Sequence, residues 1–131
     1  MKNENQFPSL EKSKPRPIKI IYNKENKLLK ITFNNNKNFD LSAEYLRVES
    51  PSAEVQGHSI NQKNTVAGKK YISIIKIEQI GNYAIKLTFN DGHDTGIYSW
   101  EYLYNLSKNK DKIWKEYLNS IKKKNLSREL G

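Results

Sequence analysis

Asp91, Gly92, His93 and Asp94 stand in four consecutive positions, and the chain has two histidines in all, His93 and His58. A loop histidine between carboxylates can serve as a base near neutral pH or help to hold a divalent cation. Two histidines and one carboxylate suffice for an open metal site. A metal-binding or metal-sensing domain built on His58, His93 and either Asp91 or Asp94 is therefore one reading. The plainer reading is structural. Asp can hydrogen-bond the backbone that follows it and Gly can take positive φ, so Asp91-Gly92 makes a turn, and His93 can simply bond a neighbouring Asp. No complete catalytic constellation accompanies these residues. There is no Cys, no G-x-S-x-G and no H-E-x-x-H, and "QKNTVAGKK" (62–70) has a single Gly where a phosphate-cradling loop needs more. The expectation is a protein that is not an enzyme and needs no cofactor.

The elements that must position these residues come from a repeat. "LKITFNNNKNFDLSAEYL" (29–46) aligns with "IKLTFNDGHDTGIYSWEYL" (85–103). Lys30, Thr32, Phe33 and Asn34 match Lys86, Thr88, Phe89 and Asn90. With one residue added in the loop, Ser42, Glu44, Tyr45 and Leu46 match Ser99, Glu101, Tyr102 and Leu103. Each copy reads as strand, loop and short helix, preceded by another strand-like run, "PIKIIY" (17–22) or "YISIIKIEQI" (71–80). A two-residue Gly81-Asn82 turn suits a tight hairpin. Ser42 and Ser99 stand where helix N-caps belong, with Tyr45/Leu46 and Tyr102/Leu103 facing the sheet. "DKIWKEYLNSIKKK" puts Ile113, Trp114, Tyr117, Leu118 and Ile121 on one helical stripe. The predicted fold is α+β: two ββα repeat units with antiparallel strands packed on short helices, plus a C-terminal amphipathic helix. The helical spacing of Tyr98, Trp100 and Tyr102 favours core packing over base stacking. The loops of the two copies differ, "NNKNFDL" against "DGHDTGI". Joining strand to helix therefore does not require Asp91, His93 and Asp94. "SPSAEVQGH" (50–58) reads as a short helix capped by Ser50 and ended by Gly57.

Composition sets the outer limits. The chain has 131 residues, 36% hydrophobic, which suits one domain with a modest core. The expected organisation is a loose tail over 1–16, a domain over 17–106 and a helical extension over 107–131 with loose last residues. No apolar run approaches the ~20 residues of a membrane span. "MKNENQFPSLEKSKPRP" lacks the apolar segment of a signal peptide, so a cytoplasmic location without membrane contact is expected. Net charge is +9, carried almost wholly by Lys, with Arg only at 16, 47 and 128. Arg is the usual bidentate reader of phosphates and bases, so the charge argues for a solvated surface; a non-specific nucleic-acid binder ranks third among the readings.

"LRVESPSAEVQGH" together with "GNYAIKLTFNDGHDTGIYSWEYL" resembles the gamma-butyrobetaine hydroxylase-like N-terminal domain family, from about Pro17 to Leu106. The family is also similar to a segment appended to Mrp-type P-loop iron–sulfur carriers. In the eukaryotic hydroxylases the domain holds a structural zinc through three Cys and one His. The resemblance places that His on His93 and the three Cys on Ser50, Ser52 and Val55. It therefore implies a lost zinc site, with His93 facing the 50–55 loop and bonding Ser50, Ser52 or Asp94. The oxygenase chemistry of those hydroxylases belongs to a separate domain. What the resemblance implies here is a non-catalytic adaptor whose partner is a protein, an iron–sulfur carrier or client, contacted through 50–58 and 91–98.

Overall fold

The computed structural model describes residues 14–57 and 62–130. Within them the order is β1 (Pro17–Asn23), β2 (Leu28–Phe33), β3 (Asn38–Ser42), α1 (Ala43–Val48), α2 (Ala53–Gln56), β4 (Ile74–Ile80), β5 (Ala84–Phe89), β6 (Ile97–Ser99), α3 (Trp100–Lys108) and α4 (Lys110–Lys123). Two antiparallel sheets result, β1-β2-β3 and β4-β5-β6. The α+β class, the repeat and the C-terminal helix are as expected. Each unit, however, has a third strand before its helix. β3 arises from Phe39 and Leu41 alternating with Asp40, a short period hidden behind the Asn-rich turn; it pairs with β2 from Leu28↔Ser42 to Thr32↔Asn38. β6 keeps only three pairs, Ala84↔Ser99, Ile85↔Tyr98 and Lys86↔Ile97.

The repeat extends to its irregularities. In the first sheet Phe33 pairs with Pro17, and the register slips before Lys19↔Thr32. In the second Phe89 pairs with Ile74, and the register slips before Lys76↔Thr88. An extra residue in the same place of each edge strand is a β-bulge, which twists the strand locally. Both helix caps form as the sequence predicts. Ser42 Oγ accepts from Tyr45 N at 3.0 Å, and Ser99 Oγ accepts from Tyr102 N at 3.1 Å. The hydroxyls of those two tyrosines then cross between the units. Tyr45 donates to the Leu106 carbonyl at 2.7 Å and Tyr102 to the Glu49 carbonyl at 2.5 Å. Leu106 and Glu49 occupy equivalent places in the two copies, so the bonds are reciprocal, as across a two-fold axis.

A single main core draws on both sheets and both longer units of the repeat. It joins Leu29, Ile31, Phe33 and Leu41 with Ile74, Ile85, Leu87 and Phe89, roofed by Tyr45, Leu46, Leu103 and Leu106. Full burial of one such side chain contributes roughly 1.5–3 kcal/mol. α4 adds a smaller cluster in which Tyr117 and Ile121 pack on Val48 with Trp114. Leu118, expected on this stripe, is 37% exposed: the helix is turned so that 113, 117 and 121 lead. The hairpin after β4 spends three residues, 81–83, because Tyr83 precedes the first pair Ile80↔Ala84.

The C-terminal stretch, whose last residues were expected to be loose, is held. Gly68 N donates to Ser127 O at 2.8 Å and Lys70 N to Arg128 O at 3.0 Å, so the segment before β4 and the C-terminal stretch pair along their backbones. Tyr117 Oη donates to Val66 O at 2.6 Å. Arg128 grips the buried Glu44 carboxylate with two bonds of 2.8 Å. Polar composition hid these contacts because most use backbone groups. Of the predicted N-terminal tail, residues 14–16 lie against Asn34, which donates to Lys14 O at 2.8 Å and to Arg16 O at 2.9 Å; residues 1–13 lie outside the described residues.

Candidate functional site

The site forms where the second copy departs from the first. β5 and β6 stop pairing at Lys86↔Ile97, and residues 90–96 leave the sheet. Gly92, at φ +88°, lets Gly92 N reach Phe89 O at 2.9 Å, and Phe89 N then bonds His93 O at 2.9 Å. The turn drives the His93 ring inward against the segment after α1. There Ser50 is fully buried, and Ser52 and Val55 are nearly so. His93 Nε2 lies 2.9 Å from Ser50 Oγ and 3.4 Å from Ser52 Oγ, with the two hydroxyls 3.2 Å apart. Gly96 is required for this approach, since a Cβ there would collide with Ser50 Oγ and crowd Pro51. The expectation that Ser50 caps the next helix is corrected: Ser52 is the N-cap of α2, and the Ser50 hydroxyl is turned to His93. Gly57 does end that helix, at φ +69°.

The predicted residues divide into three groups. Ser50, Ser52 and His93 meet. Asp91 turns the other way and acts as an ion-pair hub, accepting from Lys69 Nζ at 2.6 Å, Arg47 Nε at 2.9 Å and the His93 backbone N–H at 3.1 Å. Asp94 is exposed and its carboxylate makes none of these contacts. His58 lies outside the described residues. Among the described residues no three His, Asp or Glu side chains are grouped to hold a metal. The sequence reading missed Arg47, Glu54, Gln56, Lys69 and Thr95. Gln56 Nε2 donates to Ser50 O at 2.9 Å, and Thr95 Oγ1 donates to Glu54 Oε1 at 2.9 Å, tying α2 to the His93 loop. Thr95 is two positions from His93, but Arg47, Glu54, Gln56 and Lys69 lie far from it in sequence, and no local pattern announces them.

Electrostatics fix the protonation states. Burial pushes the His93 imidazole below its ordinary value, and the Arg47 guanidinium pushes the same way against the pull of Glu54, Asp91 and Asp94. The ring is therefore neutral at pH 7, one nitrogen donating and the other accepting. At Asp91 burial opposes the charged form, but the bonds from Lys69, the His93 N–H and Arg47 outweigh it and hold the carboxyl at about 2. Ser50, His93 and Glu54 follow the order of a nucleophile, a base and an acid. The geometry does not support that use. His93 Nδ1 is 3.7 Å from Glu54 Oε1, too long for a hydrogen bond, and Ser50 has no exposed surface through which a reactant could arrive. Zinc fits no better. Four tetrahedral donors are needed, a serine hydroxyl is a poor one, and the buried Val55 offers none.

The match to known proteins is consistent with this geometry. The model of the family described as "Gamma-butyrobetaine hydroxylase-like, N-terminal" matches residues 20–104. The chain belongs to this family. The matched span runs from inside β1 to inside α3 and takes in Ser50, Ser52 and His93. Two proteins solved by NMR are similar to the chain. One is 40% identical with a TM-score of 0.78, covering 89% of this chain and 92% of its own. The other is 43% identical with a TM-score of 0.77, covering 90% and 88%. A crystal structure of a protein of unknown function from Acidithiobacillus ferrooxidans, of the DUF971 family, is 33% identical with a TM-score of 0.59. It covers 70% of this chain and 91% of its own. No curated protein matches the chain. The family is thus one of small domains without an assigned role. Among the described residues no helix is long and apolar enough to cross a membrane.

Proposed function

We propose that this family member is a non-catalytic adaptor of the cytoplasm that binds another protein through residues 50–57 and the 91–97 loop. The observation that carries the reading is the 2.9 Å contact between His93 Nε2 and Ser50 Oγ. It locks two loops distant in sequence into one surface, where the resemblance implies a zinc once did so. The rim of that surface is open. Glu54 has a side chain 71% exposed, Asp94 is exposed, and Ile97 is 46% exposed. On a chain of net charge +9, Glu54 and Asp94 put two exposed acidic groups at this surface, with Ile97 an exposed apolar side chain. The surface suits a partner presenting basic groups, since opposite potentials steer encounter and fix register. An iron–sulfur carrier or client is the partner class we favour, supported by the resemblance to the segment appended to such carriers. That is an analogy of family, not of site chemistry.

The test uses rim residues, because replacing buried His93 would disturb the fold. Native lysate is passed over the wild type and over a Glu54→Lys, Asp94→Lys, Ile97→Asp variant first shown to be folded. Enrichment of iron–sulfur assembly proteins by the wild type and their loss with the variant is the expected result. Equal capture by both proteins moves the interaction elsewhere on the surface. Capture without any iron–sulfur protein removes the partner assignment.

A further inference from the structure

β4 is an edge strand: among the described residues only β5 pairs with it. Its sequence, Ile74-Ile75-Lys76-Ile77-Glu78-Gln79-Ile80, is unusual in one respect. Folded back on itself about Ile77, it is complementary. Ile77 meets Ile77, Lys76 meets Glu78, Ile75 meets Gln79 and Ile74 meets Ile80. We infer that β4 pairs with β4 of a second copy of this chain, antiparallel and centred on Ile77, joining two three-stranded sheets into one of six.

Three observations support a second copy as the occupant. The strand presents apolar side chains outward, with Ile75 65% and Ile77 37% exposed. Charge selects the register. The two-fold places Lys76 opposite Glu78 twice, whereas a centre on Glu78 would set two carboxylates against each other. Directly opposed unlike charges stabilise an antiparallel pair and like charges destabilise it. The equivalent strand of the other unit supplies the contrast. β1 also exposes Ile18 (56%) and Ile21 (48%), but its one charged residue is Lys19, with no acid on the strand to face it. A lone lysine on an edge is the usual guard against pairing. Two edges of the same architecture therefore differ in the feature that decides self-association.

The bulge between Ile74 and Lys76 limits the extent of pairing, leaving Lys76–Ile80 in regular register with β5. So short a seam falls below the ~1,600 Å² of a standard stable interface, which makes the dimer weak and concentration-dependent. β6, which carries Ile97 of the adaptor surface, lies on the far side of β5, so the dimer leaves that surface open.

The experiment is a dilution series of the full chain from about 2 mM to about 10 µM, by sedimentation and amide NMR, a range that brackets weak association. The amide resonances of Ile75 to Gln79 are expected to move with concentration while the mean mass rises toward the dimer. Lys76→Glu and Glu78→Lys singly set like charges in both pairs, and each is expected to weaken association about tenfold. The double exchange restores opposite charges and is expected to recover association to within about threefold of the wild type. Amide spectra of each variant verify the fold, since Glu78 also faces Lys86 at 3.6 Å. A chain that stays monomeric throughout overturns the inference, as does a double exchange that fails to recover association. So does exchange protection of residues 75–79 that is full at every concentration, which would place a segment of the same chain on the edge.

Discussion

Replacing Arg128 by Met tests how the C-terminal stretch is held. Arg128 donates twice at 2.8 Å to Glu44, whose side chain is 7% exposed, and its guanidinium lies 5.3 Å from the Trp114 ring. Met keeps most of the stem against the indole and removes the charge, leaving a buried carboxylate without its partner. Breaking a fully buried pair from one side costs about 3–5 kcal/mol. Arg128 is 35% exposed, so water can reach part of the vacated place, and the expected loss falls to about 2–3 kcal/mol. For a domain between the small and mid-size classes, about 4 °C of melting temperature follows each kcal/mol, giving a drop of roughly 8–12 °C. The assay is thermal unfolding at pH 7 with hydrogen exchange at Gly68 and Lys70, whose amides bond to Ser127 and Arg128. Both amides are expected to lose protection. Adding Glu44→Gln removes the stranded charge and should recover about half the loss. Lys30→Met is the control. It breaks the Lys30–Asp40 pair at 3.4 Å, where both side chains are about half exposed, and should cost under about 0.5 kcal/mol. An Arg128→Met protein melting within about 2 °C of the wild type refutes the reasoning. So does a double variant no better than the single one.

The His93 environment predicts a pH dependence of defined sign. Its pKa is lowered in the folded chain, so below the ordinary value of 6.5 the unfolded chain takes up a proton that the folded chain refuses. Stability contributed by His93 is complete above 6.5 and falls as pH drops through 6.5 toward the folded value. The difference in melting temperature between wild type and His93→Gln should shrink between pH 7.5 and 5.5; a constant difference would show the ring to be solvated. Comparison with the variant is essential because burial raises the Glu49 carboxyl despite Lys63, and that group works in the opposite direction on acidification. The donor set makes another prediction. Ser50→Cys, Ser52→Cys and Val55→Cys together with His93 supply three thiolates and one imidazole, the complement of a closed zinc site. The triple variant is expected to retain one zinc through dialysis and to melt higher with it. A variant with Val55 left in place is expected to lose the metal, and failure of the triple variant to hold zinc would mean that the two loops stand too far apart.

The repeat made most of the architecture legible. Matching Thr32/Phe33 and Thr88/Phe89, followed within one residue of the same distance by Ser42 and Ser99, fixed strands, caps and helix starts together, because period two and an N-cap serine are local signals. β3 escaped because an Asn-rich turn precedes its short alternation, and Leu118 was misassigned because i, i+3 and i, i+4 patterns tolerate a rotation of the helix. At the site, His93 against Ser50 and Ser52 was reachable only through the family resemblance. The role of Asp91 was not reachable at all. Its partners Arg47 and Lys69 come from α1 and from the stretch before β4, and nothing in an Asp-Gly pair distinguishes a turn from an ion-pair hub. The pairing of 68–70 with 127–128 escaped for a different reason: backbone donors and acceptors are present in every sequence and so leave no mark in any one.

The exchanged hydroxyls of Tyr45 and Tyr102 have a consequence for how the protein comes to exist as a folded object. A helix leaves its last carbonyls without internal partners. Here the carbonyls of Glu49 and Leu106, at the ends of α1 and α3, are each answered by the tyrosine of the opposite repeat. Neither repeat can complete its own helix end, and each presents half of the shared core to water when alone. The unit of folding is therefore the pair, although the unit of sequence is the single repeat. The benefit is cooperativity: a defect in either half is felt in both. Phenylalanine at Tyr45 or at Tyr102 should thus lower one shared unfolding transition, by about 1 kcal/mol each, without splitting it in two. Two separate transitions in calorimetry would mean that the halves are autonomous.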